Sequence, residues 1–182
     1  APGYDYTRFK DAGVTLNVYN WGEYISNGTD DSMDVVKEFE SLTGIRVNYT
    51  TYDTNESLYA KLKSGGGNYD VIIPSDYMIG KMAAEGMLEE LDMDNIPNAA
   101  LIGDAYRSKP FDPDNRYSVA YTWGLVCIVY NQTMVDEGDL EQGWGLLWDE
   151  KYAGQILMFN NSRDAFAIAG KLLGNSINPG SV

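Results

Sequence analysis

The sequence predicts an α/β fold in which helices flank a parallel sheet. Strand-like and helix-like patterns alternate from residue 14 to residue 86, and each helix-like segment ends at glycine. The third strand-like run is continuously apolar, which is typical of a parallel strand buried between layers. Successive strand and helix units of this kind connect through right-handed crossovers, so their neighbouring strands run parallel.

The first strand and helix unit begins with residues 14–19, VTLNVY, in which apolar and polar side chains alternate. After an aromatic turn, Asp30 and Asp31 are predicted to provide the N-cap of a helix that ends at Gly44. A helix with one apolar face can cover a sheet. That face consists of Val35, Val36, Phe39 and Leu42.

Two further units follow along the chain. Residues 45–52 alternate again and are rich in β-branched and aromatic side chains. Thr54 is predicted to cap a short helix that ends at the glycines of residues 65–67. Residues 70–74, DVIIP, form the apolar third strand, which its final proline ends, and the third helix is predicted over residues 77–85.

The remaining residues are predicted to form an irregular excursion and the beginning of a second lobe. Residues 88–115 are interrupted by proline, and residues 117–131 form a strand-like stretch that is too long for one ordinary strand. We interpret this stretch as a crossing between two lobes. The other predicted elements are a short helix near residues 145–149, a strand over residues 155–159, and a helix from Asn161 or Ser162 to Gly174.

Composition narrows the classes of function. Asp and Glu outnumber Lys and Arg by 27 to 13, and the resulting net charge of −14 repels nucleic acid and anionic lipid but favours cations. The absence of histidine excludes histidine-based catalysis and histidine metal sites, and the single Cys127 excludes an internal disulfide. No apolar run reaches about 20 residues, the length that a membrane-spanning helix requires. We therefore expect a soluble, noncatalytic protein without a metal or a cofactor.

Candidate ligand-binding side chains follow the predicted strands, because an open parallel sheet binds ligands beyond the carboxyl ends of its strands. Residues 19–24 follow the first strand, residues 74–78 the third, and residues 159–166 the strand of the second lobe. Aromatic rings attract cations and cover methylene chains, and a carboxylate neutralises an ammonium group. The sequence thus predicts a site for an elongated organic cation, although such rings also stack on sugars or serve in packing. Its members are Trp21, Glu23, Tyr24, Tyr77 and Asp164.

Other motifs are weaker indications of chemistry. The glycines of residues 65–67 precede a strand, so they do not form a phosphate-binding loop. The segments DMDN and DPDN lack the glycine and final glutamate of a calcium loop and are predicted to be turns. Ser75 has no visible activating base. A carboxylate pair such as Glu23 and Asp164 could serve glycoside hydrolysis, which leaves a carboxylate-based hydrolase as an alternative.

Five longer segments occur in a recognisable order after about residue 14 and extend over nearly the whole chain. They are YNWGEY, GIRVNYTTYDTNESLYAKLKSG, YDVIIPSDYMIGKMAAEGML, KPFDPDNRYSVAYTWG and WDEKYAGQILMFNNSRDAF. Together they resemble the spermidine/putrescine-binding proteins of ABC transporters. The resemblance implies the two-lobed, type II periplasmic-binding-protein fold, capture of a polyamine between the lobes, and delivery of that polyamine to a membrane permease.

The resemblance also implies site residues in both predicted lobes. Asp164 corresponds to the later of two acids in the family's second lobe, whereas Asn160 and Asn161 stand where an aspartate is usual. An amide accepts one hydrogen bond from an ammonium group but supplies no charge, which alters the expected affinity or preference. The ligand-binding residues that the resemblance implies are Trp21, Glu23, Tyr24, Ser75, Tyr77, Asn161 and Asp164.

Members of this family are longer, so the resemblance implies a first lobe and the start of a second. We predict a lead-in over residues 1–13, a first lobe over residues 14–122, and a crossover with an incomplete second lobe over residues 123–182. An unfinished lobe exposes apolar surface, so a domain-swapped dimer is predicted. The resemblance implies a periplasmic location or one at the outer face of the cytoplasmic membrane, and leaves open an anchor or a fused permease. Alternatives are a binding protein of this fold for a sugar or amino acid, and a sensor or scaffold domain.

Overall fold

The structure is a computed structural model that describes residues 3–176. Contacts divide the chain into two compact units, with the boundary between Thr122 and Trp123. The predicted lead-in and second lobe each include residues that lie outside the described part, namely residues 1–2 and residues 177–182. No helix within residues 3–176 combines the length and the apolar character needed to cross a membrane.

The first unit is built on a three-stranded sheet in the order β2-β1-β3. The central strand β1 (Thr15–Trp21) pairs in parallel with β2 (Arg46–Tyr52) along its whole length, which places Trp21 opposite Tyr52. The short strand β3 (Val71–Ile72) pairs in parallel with the other edge of β1. These pairings confirm the predicted α/β fold with a parallel sheet.

Each strand is followed by a helix, as predicted. The three helices are α1 (Val35–Thr43), α2 (Asn55–Lys63) and α3 (Asp76–Ala84). Thr54 caps α2 as predicted, because its side chain accepts a hydrogen bond from the backbone N–H of Ser57. Gly44 ends α1 with a φ of 71°, in the left-handed region that glycine adopts readily.

The predicted N-cap of α1 is wrong. Asp34 provides the cap, since its Oδ1 accepts a hydrogen bond from the backbone N–H of Lys37 at 3.0 Å. Asp30 and Asp31 have φ values of 54° and 58° and belong to the preceding turn. Several acids close together are all suitable caps by residue type, and the path of this turn selects the last of them.

Two predicted strands are absent from the described chain, and the third strand is shorter than predicted. Residues 117–131 and residues 155–159 form no strand pairing within the part that the structure describes. The predicted helix near residues 145–149 is replaced by 3₁₀ turns over Glu137–Trp148, with a break at Gly143. A strand needs a hydrogen-bonded neighbour, and alternating side chains alone do not supply one.

The second unit contains a predicted helix in nearly the predicted position. Helix α4 (Ser162–Leu172) begins after Asn161. Ile168 of this helix is buried, as are Leu146 and Tyr152. A 3₁₀ turn over Glu150–Tyr152 precedes the irregular chain that leads to α4.

The core of the first unit is formed where helices α2 and α3 pack against the sheet. Its buried members come from β1, β2, α2 and α3. The rings of Tyr19 and Tyr52 meet edge to face, with centroids 5.0 Å apart. The buried cluster consists of Tyr19, Tyr52, Leu58, Met78 and Met82.

The irregular excursion after α3 contains 3₁₀ turns and is held by a buried carboxylate. The turns cover Met93–Asn95, Pro97–Leu101 and Asp104–Tyr106. The carboxylate of Asp112, which is 3% exposed, accepts hydrogen bonds from the backbone N–H groups of Arg116 and Tyr117 and from the hydroxyl of Ser118. The predicted DPDN turn is thus confirmed, and its first acid is occupied by donors of the chain itself.

We expect Asp112→Asn to destabilise the first unit by about 1 to 3 kcal/mol, because an amide nitrogen would face hydrogen-bond donors in a buried position. Burial acts to raise the pKa of Asp112, but the hydrogen bonds from Ser118, Tyr117 and Arg116 outweigh burial and lower this pKa below its ordinary value of 3.8. The stabilisation by the Asp112 carboxylate is therefore present at pH values above its ordinary pKa of 3.8, and it is lost as the pH falls through the folded-state pKa.

Urea denaturation of the two proteins over a series of pH values measures this effect. The difference between wild type and Asp112→Asn is expected to shrink in acid. Asp104→Asn is the matched control, because the Asp104 side chain is fully exposed in the same excursion. Equal stability of wild type and Asp112→Asn at neutral pH would contradict the assignment.

Candidate ligand-binding site

The candidate site lies in the first unit at the edge of the sheet where the strands end. Trp21 and Tyr52 are the last residues of β1 and β2, and their rings lie 4.7 Å apart between centroids. Helices α2 and α3 begin just beyond this edge. The sequence placed Trp21 in a turn, but the strand extends two residues past the predicted end at Tyr19, because β2 continues to pair with it.

A second ring extends the aromatic surface toward solvent. The ring of Tyr24 lies 6.0 Å from that of Trp21 between centroids, and Tyr24 is 51% exposed. The hydroxyl of Tyr121 donates a hydrogen bond to the backbone carbonyl of Tyr24, which ties the turn after β1 to the end of the first unit. Trp21 and Tyr24 therefore form a partly open aromatic surface.

Glu23 lies between these two aromatic residues in the chain and is exposed. Among the described residues, none donates a hydrogen bond to its carboxylate or forms an ion pair with it. A carboxylate beside aromatic rings can receive a cationic group without first giving up a partner.

The buried residue of the aromatic surface is Tyr52, whose ring contacts that of Trp21. Burial raises the pKa of its hydroxyl strongly, and the neighbouring phenols of Tyr24, Tyr19, Tyr77 and Tyr49 raise the pKa further. The hydroxyl donates to the backbone carbonyl of Ile73 at 2.6 Å, so it is satisfied inside the protein. Tyr52 is thus neutral and fixed, and its ring packs against that of Trp21.

Ser75 is the N-cap residue of α3, but its side chain makes no capping hydrogen bond. Asn55, which is 1% exposed, holds it instead. The Asn55 side chain accepts from the backbone N–H of Ser75 and donates to the Ser75 Oγ, both at 3.0 Å. The hydroxyl of Ser75 is therefore oriented by a buried amide and keeps its own proton to donate.

Tyr77 lies in the first turn of α3 and is half-buried against the core cluster. Its hydroxyl donates a hydrogen bond to the carboxylate of Glu56, in the first turn of α2, at 3.1 Å. Glu56 is exposed, so a second acid lies at this edge of the sheet besides Glu23.

The two predicted site residues of the second unit lie at the beginning of α4. The Oδ1 of Asn161 accepts hydrogen bonds from the backbone N–H groups of Arg163 and Asp164, so Asn161 serves as the N-cap of the helix. Asp164 is half-buried in the first helical turn.

Three residues of this edge, Tyr52, Asn55 and Glu56, were missed by the sequence analysis. The predicted site residues of the first unit follow only the first and third strands, whereas the second strand ends at the same edge of the parallel sheet. The segment YDTNES contained the signal, because it places an aromatic ring, an amide and an acid between strand and helix.

An α/β unit with an aromatic and acidic surface beyond the carboxyl ends of parallel strands has the features of a noncovalent ligand-binding protein. Residues 67–174 match the family described as bacterial extracellular solute-binding protein. This match includes more than half of the 182 residues. The chain therefore belongs to the bacterial extracellular solute-binding protein family.

Individual relatives agree with this assignment. The spermidine/putrescine-binding periplasmic protein of Escherichia coli (strain K12) is 38% identical over 169 residues, which cover 92% of this chain and 47% of the relative. A solved structure described as a putative spermidine/putrescine ABC transporter from Listeria monocytogenes matches with a TM-score of 0.80 and 36% identity, over 91% of this chain and 49% of that chain. The Tp0655 lipoprotein of Treponema pallidum matches with a TM-score of 0.80 and 28% identity, over 92% of this chain and 50% of that chain.

These comparisons confirm the resemblance stated from the sequence motifs. They also confirm the fold, since two solved structures superimpose on nearly all of the chain. The chain spans about half the length of the relatives that it matches.

Proposed function

We propose that the protein is an extracytoplasmic solute-binding protein that captures a polyamine, spermidine or putrescine, without catalysis and delivers it to an ABC permease. The observation on which this proposal depends is the open aromatic surface of Trp21 and Tyr24, with the exposed Glu23 between them in the chain and without a hydrogen-bond or ion-pair partner within residues 3–176. The names of the relatives support the ligand class, because the E. coli protein is a spermidine/putrescine-binding protein.

In the proposed mode of binding, the rings of Trp21, Tyr24 and Tyr77 pack against the methylene chain, and Glu23 binds an ammonium group. Each such contact contributes roughly 0.5 to 2 kcal/mol once water is excluded. Ser75 supplies a hydrogen bond. The net charge of −14 raises the local concentration of cations around the whole molecule.

Asp164, a residue of the second unit, stays a predicted ligand-binding acid. Asn161 stays a predicted ligand-binding residue, but the structure restricts the kind of contact that its side chain can make. Its carbonyl oxygen already accepts two backbone N–H groups, so any ligand contact would use its amide N–H₂, which binds an acceptor and not an ammonium group.

The proposed location is the periplasmic space or the outer face of the cytoplasmic membrane. Relatives that are named as a periplasmic protein and as a lipoprotein support this location. The permease is the proposed protein partner, and the domain-swapped dimer stays a prediction.

Isothermal titration of the purified chain with spermidine and putrescine tests the proposal. Binding of both is expected, and 1,4-butanediol, which has the carbon chain of putrescine without its charges, is expected to give no heat. Undetectable binding of both polyamines at millimolar concentration would reject the proposal. Binding of a neutral sugar or an amino acid instead would favour the alternative solute, and turnover of a chromogenic glycoside would favour the hydrolase.

A further inference from the structure

The hydrogen bond between Tyr77 and Glu56 has a fixed direction. An ionised carboxylate only accepts hydrogen bonds, so the phenol must donate its single proton to Glu56. Because that proton is engaged by Glu56, the oxygen of Tyr77 can act toward a ligand only as an acceptor. A group with N–H donors satisfies such an acceptor, whereas a carboxylate or carbonyl oxygen does not.

The neighbouring hydroxyl, that of Ser75, can act as a hydrogen-bond donor toward a ligand. Ser75 Oγ accepts from the buried amide of Asn55 and keeps its proton, so Ser75 can donate. Two hydroxyls on the same helix end are thus oriented differently by two partners from α2, Asn55 and Glu56. Only the tyrosine is converted into an acceptor by a charged partner.

The position of Glu56 also offsets the positive electrostatic potential at a helix N-terminus. Helices α2 and α3 both begin near this edge, and the positive ends of their dipoles disfavour a bound cation. Glu56 lies in the first turn of α2 and Asp76 in the first turn of α3, so each positive end has a negative side chain beside it. A cation site at two helix N-termini requires this compensation.

We propose that Glu56 is a positioning residue that determines specificity for amines, because it holds the phenolic proton of Tyr77 and makes the Tyr77 oxygen an acceptor for an ammonium group of the ligand. This inference rests on the proposed polyamine function and adds a role to that same site. Glu56 acts through Tyr77 and not as the principal counter-charge, which is the role of Glu23.

A double-mutant cycle with putrescine as the probe tests this proposal. Glu56→Gln and Tyr77→Phe are each expected to weaken putrescine binding about 10- to 150-fold, the range for a lost hydrogen bond to a charged group. In the Tyr77→Phe background, Glu56→Gln is expected to have an effect of less than about twofold, because the group on which it acts is gone. The melting temperature is expected to stay close to that of the wild type, since Glu56 is exposed.

Glu38→Gln is the matched control, because Glu38 is an exposed acid in the first turn of α1 and loses the same charge. It is expected to bind putrescine as the wild type does. Equal losses from Glu56→Gln in both backgrounds would overturn the proposal and show a direct charge effect. Wild-type affinity in Glu56→Gln would overturn it as well. Absence of putrescine binding by the wild type would instead reject the proposed function on which it rests.

Discussion

Replacing Trp21 by alanine is expected to weaken polyamine binding by about 2 to 3 kcal/mol, or about 30- to 150-fold, the range of a central aromatic contact. The indole is held at the end of β1 against the ring of Tyr52, so it offers a fixed apolar face to a methylene chain. Its removal also leaves Tyr24 without its aromatic neighbour at 6.0 Å. Isothermal titration with spermidine and putrescine measures the loss.

Two variants make this result interpretable. Trp21→Phe keeps an aromatic face and is expected to lose less than half of the binding free energy lost by the alanine variant. Trp148→Ala, an exposed tryptophan of the second unit, is expected to bind as the wild type does. An unchanged affinity in Trp21→Ala, with a native circular dichroism spectrum, would place the ligand elsewhere.

Leu58→Ala is expected to cost about 2 to 5 kcal/mol of the free energy of unfolding of the first unit. Leu58 is fully buried in α2, within the cluster that joins this helix to the strands and to α3. Truncation leaves a cavity among large side chains, two of them tyrosines whose hydroxyl or ring contacts limit their movement.

Hydrogen exchange of the amides in β1 and α2, measured in urea, reports this loss for the first unit alone. A readout confined to the first unit is needed because two compact units can unfold in separate transitions. Leu101→Ala is the control with the same chemical change, since Leu101 is 83% exposed, and its effect is expected to stay within about 0.5 kcal/mol. Equal protection in both variants would refute the central place of Leu58 in the core.

The fold of the first unit was predictable because its signals are local. The alternation of residues 45–52, the cap at Thr54 and the glycine at position 44 each specify an element through neighbours within a few residues. Parallel order followed from the short crossovers between the strands. The cap of α1 was misplaced because three suitable acids compete, and only the turn geometry separates Asp34 from the other two.

The second unit was predicted less well, and the reason is nonlocal. Residues 155–159 have strand-like composition, yet Leu157 is 95% exposed and the described chain gives it no strand partner. Strand formation depends on residues distant in sequence, whereas the cap of α4 at Asn161 depends only on the next three residues.

Part of the candidate site could be predicted and part could not. Residue type and position after a strand were sufficient to select Trp21 and Tyr77 as candidates. The hydrogen bonds that orient Ser75 and Tyr77 come from Asn55 and Glu56, about 20 residues earlier in the chain. Such pairings arise from the packing of α2 against α3, which no local pattern describes.

The central place of β1 in the sheet has a kinetic consequence. β1 is paired with β3 at Val18 and Tyr19 and with β2 up to Trp21, so the backbone of its last residue is held in place before any ligand arrives. Docking onto Trp21 then requires little reordering of the backbone, and the frequency of encounter sets the pace of association. For a molecule of net charge −14, ionic strength controls that frequency, because dissolved salt screens the attraction between the protein and an approaching cation.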